Sequence, residues 1–139
     1  MRLMKMYCTD ELEKEIKSGI SKVSDVENVS NLKFQKNIPN GEDGVYIFGD
    51  SQGYHYVVME RGAEEIHKIT DDVFEICFWC FYELTSNAAF DYEFENRDES
   101  LNYRKAAFSK QLEYLGLIGE NYRKRGEIEI EEILKVNPY

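Results

Sequence analysis

Residues 44–70 read GVYIFGDSQGYHYVVMERGAEEIHKIT, a run of β-branched and aromatic residues punctuated by Gly49, Gly53 and Gly62. Such residues suit a pleated, half-buried surface, and short Gly-containing pairs between them mark hairpin turns. The pattern predicts three strands, at about 45–49, 54–60 and 64–69. Turns at Ser51-Gln52-Gly53 and Arg61-Gly62 join them as an antiparallel meander. The two-residue period of a strand puts Tyr54, Tyr56 and Val58 on one face of the middle strand and His55, Val57 and Met59 on the other.

Downstream of the meander the period changes. Asp71 or Asp72 is placed to cap a helix running to about Asn96. Leu101, Ala107 or Phe108, Leu112, Leu115, Ile118 and Tyr122 then recur at helical spacing, predicting a second helix from about Glu99 to Tyr122. A last helix, about 127–136, stops at Asn137-Pro138. Upstream, residues 21–43 are polar, with turn signals at Pro39 and Asn40-Gly41 and room for a short strand around LKFQ at 32–35. Thr9 or Asp10 caps a first, mostly polar helix ending near Gly19. The expected fold is α+β over one domain, 1–139. Its meander has three strands or slightly more, packed against about three C-terminal helices, with a short helix at the N-terminus.

Hydrophobic residues make up 42% and charged residues 32% of the 139, a balance that supports a globular core. The net charge of −10 is concentrated in residues 41–100, where 15 acidic residues face 3 basic ones. That field repels nucleic acid and anionic lipid and attracts cationic partners. The N-terminal residues contain no apolar stretch long enough for a signal-peptide core, so a cytoplasmic protein with no membrane span is expected.

Within the first long helix, residues 75–84 read EICFWCFYEL. Two acids interrupt the apolar run within about half the length a membrane span needs. Cys77 and Cys80 make half a metal site at most, with Cys8, His55 and His67 as the remaining ligand candidates. A position inside the helix among aromatics disfavours a reactive thiolate and favours buried thiols. A small thiol- or metal-dependent enzyme using Cys77 and Cys80 stands as the alternative to a binding protein. No nucleophile elbow, GxGxxG or Walker-type loop is present, and no catalytic residue, cofactor or metal is expected.

At 100° per residue, Val73, Phe74, Cys77, Phe81, Leu84, Ala88 and Tyr92 share the expected core face. Glu75, Trp79, Glu83, Ser86, Phe90 and Glu93 lie opposite. The following stretch, DYEFENRDE at 91–99, holds five acids. Aromatics rimmed by carboxylates have the composition of a protein-binding hot spot. The expected partner surface is therefore Glu75, Trp79, Glu83, Phe90, Asp91, Glu93, Glu95, Asp98 and Glu99, with Trp79 and Phe90 as anchors. An internally packed helix with a solvated acidic end is the plainer reading.

YHYVVMERGAEE at 54–65, TDDVFEICF at 70–78, DYE at 91–93, NYRKAAFSKQLEYL at 102–115 and ILKVNPY at 133–139 together resemble the immunity protein 63 family. The resemblance implies a bacterial, cytoplasmic antidote of a polymorphic toxin system, which binds a secreted toxin domain stoichiometrically and without catalysis. The family's Glu-Arg-Gly turn is matched by Glu60, Arg61 and Gly62. Its Asp-x-Arg-Arg, followed by Phe and Gln, meets Asn102, Tyr103, Arg104, Lys105, Phe108 and Gln111, with Asn for Asp and Lys for the second Arg. That motif has an internal salt bridge between helix and hairpin as one expected role. A basic cognate toxin would suit the acidic middle of the chain. An adaptor for another cationic protein fits the same charge pattern.

Overall fold

The computed structural model describes residues 8–26 and 31–139. Part of the N-terminal stretch read above for a leader, and positions 27–30 of the polar segment, lie outside them. The described residues form an α+β structure of four helices and a four-stranded mixed sheet. They gather into two compact units, one from residues 8–18 and 31–80 and the other from 19–26 and 81–139.

Helix α1 (Thr9–Ile20) lies in the first unit as far as Ser18 and there buries Leu12 and Ile16, one turn apart. Its Thr9 hydroxyl accepts a hydrogen bond from the Gly49 N–H at 3.0 Å. Strands β1 (Leu32–Lys33), β2 (Gly44–Asp50), β3 (Gly53–Glu60) and β4 (Ala63–Thr70) lie side by side in chain order. The expected antiparallel meander is β2-β3-β4. The LKFQ segment adds β1 parallel to β2, which makes the sheet mixed.

Pairing of Tyr46 with Val57 and of Phe48 with His55 puts Tyr46, Phe48 and Val57 on one face, where they pack with Ile38 and Met59. Tyr54 and Tyr56 are buried on the other face, as the strand period requires. The β3–β4 turn has positive φ at both central residues, 54° at Arg61 and 77° at Gly62, the geometry that matches the twist of a two-residue hairpin. Asp43 steadies it by accepting the Arg61 N–H at 2.8 Å. The Glu60-Arg61-Gly62 motif is thus a turn motif.

Helix α2 (Val73–Glu95) begins in this unit. Of the two expected caps, Asp72 is the one used, its Oδ1 accepting the Phe74 N–H at 2.9 Å.

The second unit holds the rest of α2 with α3 (Tyr103–Ile118) and α4 (Glu120–Val136). The helix expected over 99–122 is therefore shorter at both ends, and the last helix begins seven residues earlier than 127. Extended backbone at Gly119 (φ 176°, ψ 148°) separates them. Leu112, Leu115, Ile118 and Tyr122 keep helical spacing across that break, so periodicity alone runs straight through it. Phe81 meets Tyr122 edge-on at 5.0 Å, and Leu84, Ala89, Ala107, Leu115 and Ile130 are buried in this unit. Gln111, fully buried, donates to the Tyr82 carbonyl at 3.1 Å, and the Tyr114 hydroxyl donates to Asp25 at 2.8 Å. Burial and that carboxylate push the Tyr114 phenol far above its usual range.

The phase assigned to α2 needs correction. Val73 and Tyr92, expected on the core face, are exposed, whereas Ile76, Phe78, Cys80, Thr85 and Ala89 are buried. A fixed 100° stripe assumes one neighbour along the whole helix, but the early turns of α2 belong to one unit and the later turns to the other.

Candidate functional site

Each expected partner residue on α2 has a definite setting. In the first unit Glu75 is partly buried, and Trp79, also partly buried, points its ring at the sheet, edge-on to Tyr56 with centroids 6.0 Å apart. The ammonium of Lys68, which pairs with Tyr56 across β3 and β4, stands 4.3 Å from the Trp79 ring and 4.8 Å from the Tyr56 ring. A cation over two aromatic faces seals this junction.

In the second unit Phe90 packs edge-on against Phe108 at 5.9 Å, and partly buried Glu83 is only grazed by the Asn87 amide at 3.5 Å. Glu93 is 6% exposed. Arg97 grips it with two hydrogen bonds, Nε to Oε2 at 3.0 Å and an Nη to Oε1 at 2.7 Å. That fork holds the Glu93 carboxyl below its usual value and raises Arg97 in return. Trp79, Phe90 and Glu93 thus each serve an intramolecular contact.

Asp91, Glu95, Asp98 and Glu99 are exposed. Asp98 accepts both the Ser100 hydroxyl, at 2.6 Å, and the Ser100 N–H, at 3.0 Å, which lower its carboxyl and shape the turn after α2. The last turn of α2 contains no basic residue. Carboxylates there sit at the negative end of the helix dipole, a placement that works against helix stability.

Sequence reasoning missed the apolar half of this surface. Phe94 is 74% exposed, Leu101 59% and Tyr103 49%. The Arg97 guanidinium carbon lies 5.6 Å from the Phe94 ring centroid and 5.4 Å from that of Tyr103, so one cation lies over both rings. The signal for Phe94 was present: of its neighbours three and four positions away, Asp91, Arg97 and Asp98 are charged, and only Phe90 is apolar.

The motif at the start of α3 also has a clear part. Asn102 caps the helix, accepting the N–H groups of Arg104 at 3.0 Å and Lys105 at 3.1 Å, work that Asp does equally well. Arg104 donates to the carbonyls of Asn137 at 2.7 Å and Pro138 at 3.1 Å and lies over the Phe108 and Tyr139 rings. Its partners are therefore the residues just past the end of α4.

Cys77 and Cys80 are fully buried, and no disulfide includes Cys8, Cys77 or Cys80. The described residues contain no group of three or more His, Cys, Asp or Glu arranged to hold a metal ion. His55 and His67 instead join a line of contacts in the first unit, Asp50 to His55 at 2.8 Å, His55 to His67 at 2.9 Å and His67 to Glu64 at 2.5 Å. Among the described residues no helix is long and apolar enough to cross a membrane.

The family model described as Immunity protein 63 matches residues 50–132, more than half of the chain. The match starts just before the β2–β3 turn and includes Glu60-Arg61-Gly62, the 91–103 surface and the Asn102 motif. It stops short of ILKVNPY at 133–139. No curated protein and no solved structure matches the chain.

Proposed function

We propose that this chain, which belongs to the Immunity protein 63 family, binds a cognate toxin domain and neutralises it by occupying its surface, without catalysis. Family membership supports the immunity role. The observation that supports the surface is the group of exposed carboxylates Asp91, Glu95, Asp98 and Glu99, gathered at the C-terminal end of α2 and in the turn that follows it. Exposed acids whose one neighbouring arginine, Arg97, is engaged by Glu93 suit an external cationic partner. The toxin is then basic, its association is steered by charge, and the complex forms in the cytoplasm of the producing cell. Trp79, Phe90 and Glu93 support the helix that carries this surface.

The test is co-expression. Toxin domains from the source bacterium are produced with and without this chain, and growth is scored together with co-purification at low and high salt. Rescue by direct, salt-sensitive binding to one basic domain supports the reading, and failure to protect against every such domain overturns it. Reversing Glu95, Asp98 and Glu99 to Lys is expected to slow association roughly 10-fold or more at low salt and to flatten its salt dependence. Unchanged association kinetics would put the interface elsewhere.

A further inference from the structure

We propose that Phe94 and Tyr103, the two aromatic residues that share the Arg97 cation, are the anchor of the toxin-binding surface; the inference rests on the toxin-binding reading above. A lone exposed apolar side chain is ordinary, because every folded surface has some. Here two aromatic rings share one guanidinium, and a third large apolar residue, Leu101, is exposed in the turn between their helices.

The arrangement is fixed before any partner arrives. Arg97 is held by its two hydrogen bonds to buried Glu93. Tyr103 opens α3 under the Asn102 cap. Asp98 and Ser100 shape the intervening turn, and the Leu101 N–H donates to the Asp98 carbonyl at 3.0 Å. An arginine and a turn already held in place lose little freedom when they are covered, which raises the share of contact energy that appears as affinity.

Charge selects the occupant. Glu93 and Arg97 neutralise each other, which leaves the four carboxylates of Asp91, Glu95, Asp98 and Glu99 as the uncompensated charge of segment 91–99. An aromatic and arginine centre with a charged rim is the anatomy of a protein-protein hot spot, and this rim fits a basic protein. The sharper assignment is a toxin face that lays an apolar contact on Phe94 and Tyr103 and directs Lys or Arg side chains at the four acids.

The experiment titrates the isolated toxin domain that the wild-type chain neutralises against full-length wild type, Phe94→Ala and Tyr103→Ala. Leu117→Ala and Ile128→Ala serve as controls, since both positions are exposed apolar sites of the same unit. Each anchor variant is expected to raise Kd by about 30-fold or more, with the controls within about 2-fold. Thermal midpoints report folding independently, and Phe94→Ala should leave the midpoint close to wild type because its ring is largely in water. Tight wild-type binding that both anchor variants retain would overturn the anchor and leave the immunity reading intact. If the wild-type chain neutralises and binds no toxin domain, the immunity reading itself falls and the anchor with it.

Discussion

Nε2 of His55 stands 2.8 Å from Oδ1 of Asp50, bridging the end of β2 and the start of β3. The imidazole is buried and stacked on Phe48, with centroids 4.4 Å apart, so the carboxylate is held against a fixed partner. Asp50 also accepts the Gln52 N–H at 2.9 Å. The His55 hydrogen bond is the main reason that the Asp50 carboxyl is pulled down to about 2.

Because the folded value lies below the ordinary 3.8, the stabilisation from Asp50 is fully present above that value and is lost as pH falls through about 2. Asp50→Asn is expected to lower stability near pH 7 by about 1–2 kcal/mol, the scale of a hydrogen bond to a charged group. It should also flatten the loss of stability in the acid range. Urea unfolding of both proteins at pH 7, 5 and 3 measures this. Parallel pH profiles would show that the contact contributes nothing to folding.

Asn102→Ala removes the acceptor for two N–H groups at the start of α3 and is expected to cost about 1 kcal/mol, whereas Asn102→Asp should stay within a few tenths of wild type. Midpoints of urea unfolding distinguish the two. Equal destabilisation by both substitutions would mean that the side chain matters for something other than capping.

Arg104→Lys keeps the charge but loses the planar fork that reaches the Asn137 and Pro138 carbonyls. The expected cost is about 1 kcal/mol, with several-fold faster hydrogen exchange at the Asn137 amide, which closes the last turn of α4 on Ile133. Unchanged exchange at Asn137 would show that the arginine does not secure this end of the helix.

Much of this architecture was legible in the chain itself. The meander could be read because β-branched alternation and the Arg61-Gly62 turn act over a few residues, and the ends of all three strands fall within a residue or so of expectation. The break at Gly119 was missed: the glycine is a stop signal of the kind read at Gly19, but the helical spacing of Leu115, Ile118 and Tyr122 runs on across it. The acids Asp91, Glu95, Asp98 and Glu99 were correctly read as exposed. Glu93 was not, because its burial depends on the fork from Arg97, a contact that helical phase does not encode. Trp79 was placed opposite the expected core, and what it packs against there, Tyr56 and Lys68, comes from strands distant in sequence.

Gly126 and Gly116 make a paired test of helix packing in the second unit. A Cβ on Gly126 would stand 2.5 Å from Cδ1 of Leu115 and 3.2 Å from Cδ2 of Leu112, so α3 and α4 touch where α4 has no side chain. Gly126→Ala is expected to destabilise by about 1–3 kcal/mol through overpacking, despite the gain in helix propensity. On α3, a Cβ on Gly116 would meet only the Arg123 side chain, at 3.4 Å. Gly116→Ala is expected to stabilise by up to about 1 kcal/mol. Shifts of the same sign in the two urea midpoints would contradict the close approach.

Helix α2 runs without interruption from Val73 to Glu95, through Cys80 and Phe81, where the first compact unit gives way to the second. Nucleating a helix is costly and extending one is not, so the two halves of α2 favour forming together. Melting either unit would fray the helix at Cys80 and Phe81 and remove helical hydrogen bonds that continue into the other half. The chain is therefore expected to unfold in one cooperative transition, as a single domain of this size does. Trp79, the one tryptophan of the sequence, lies in the first unit and reports it by fluorescence, while far-UV circular dichroism is dominated by α2, α3 and α4. Coincident urea midpoints by the two probes are the expected result. A fluorescence transition separated from the dichroism transition by more than experimental error would establish two independently folding domains that share one helix.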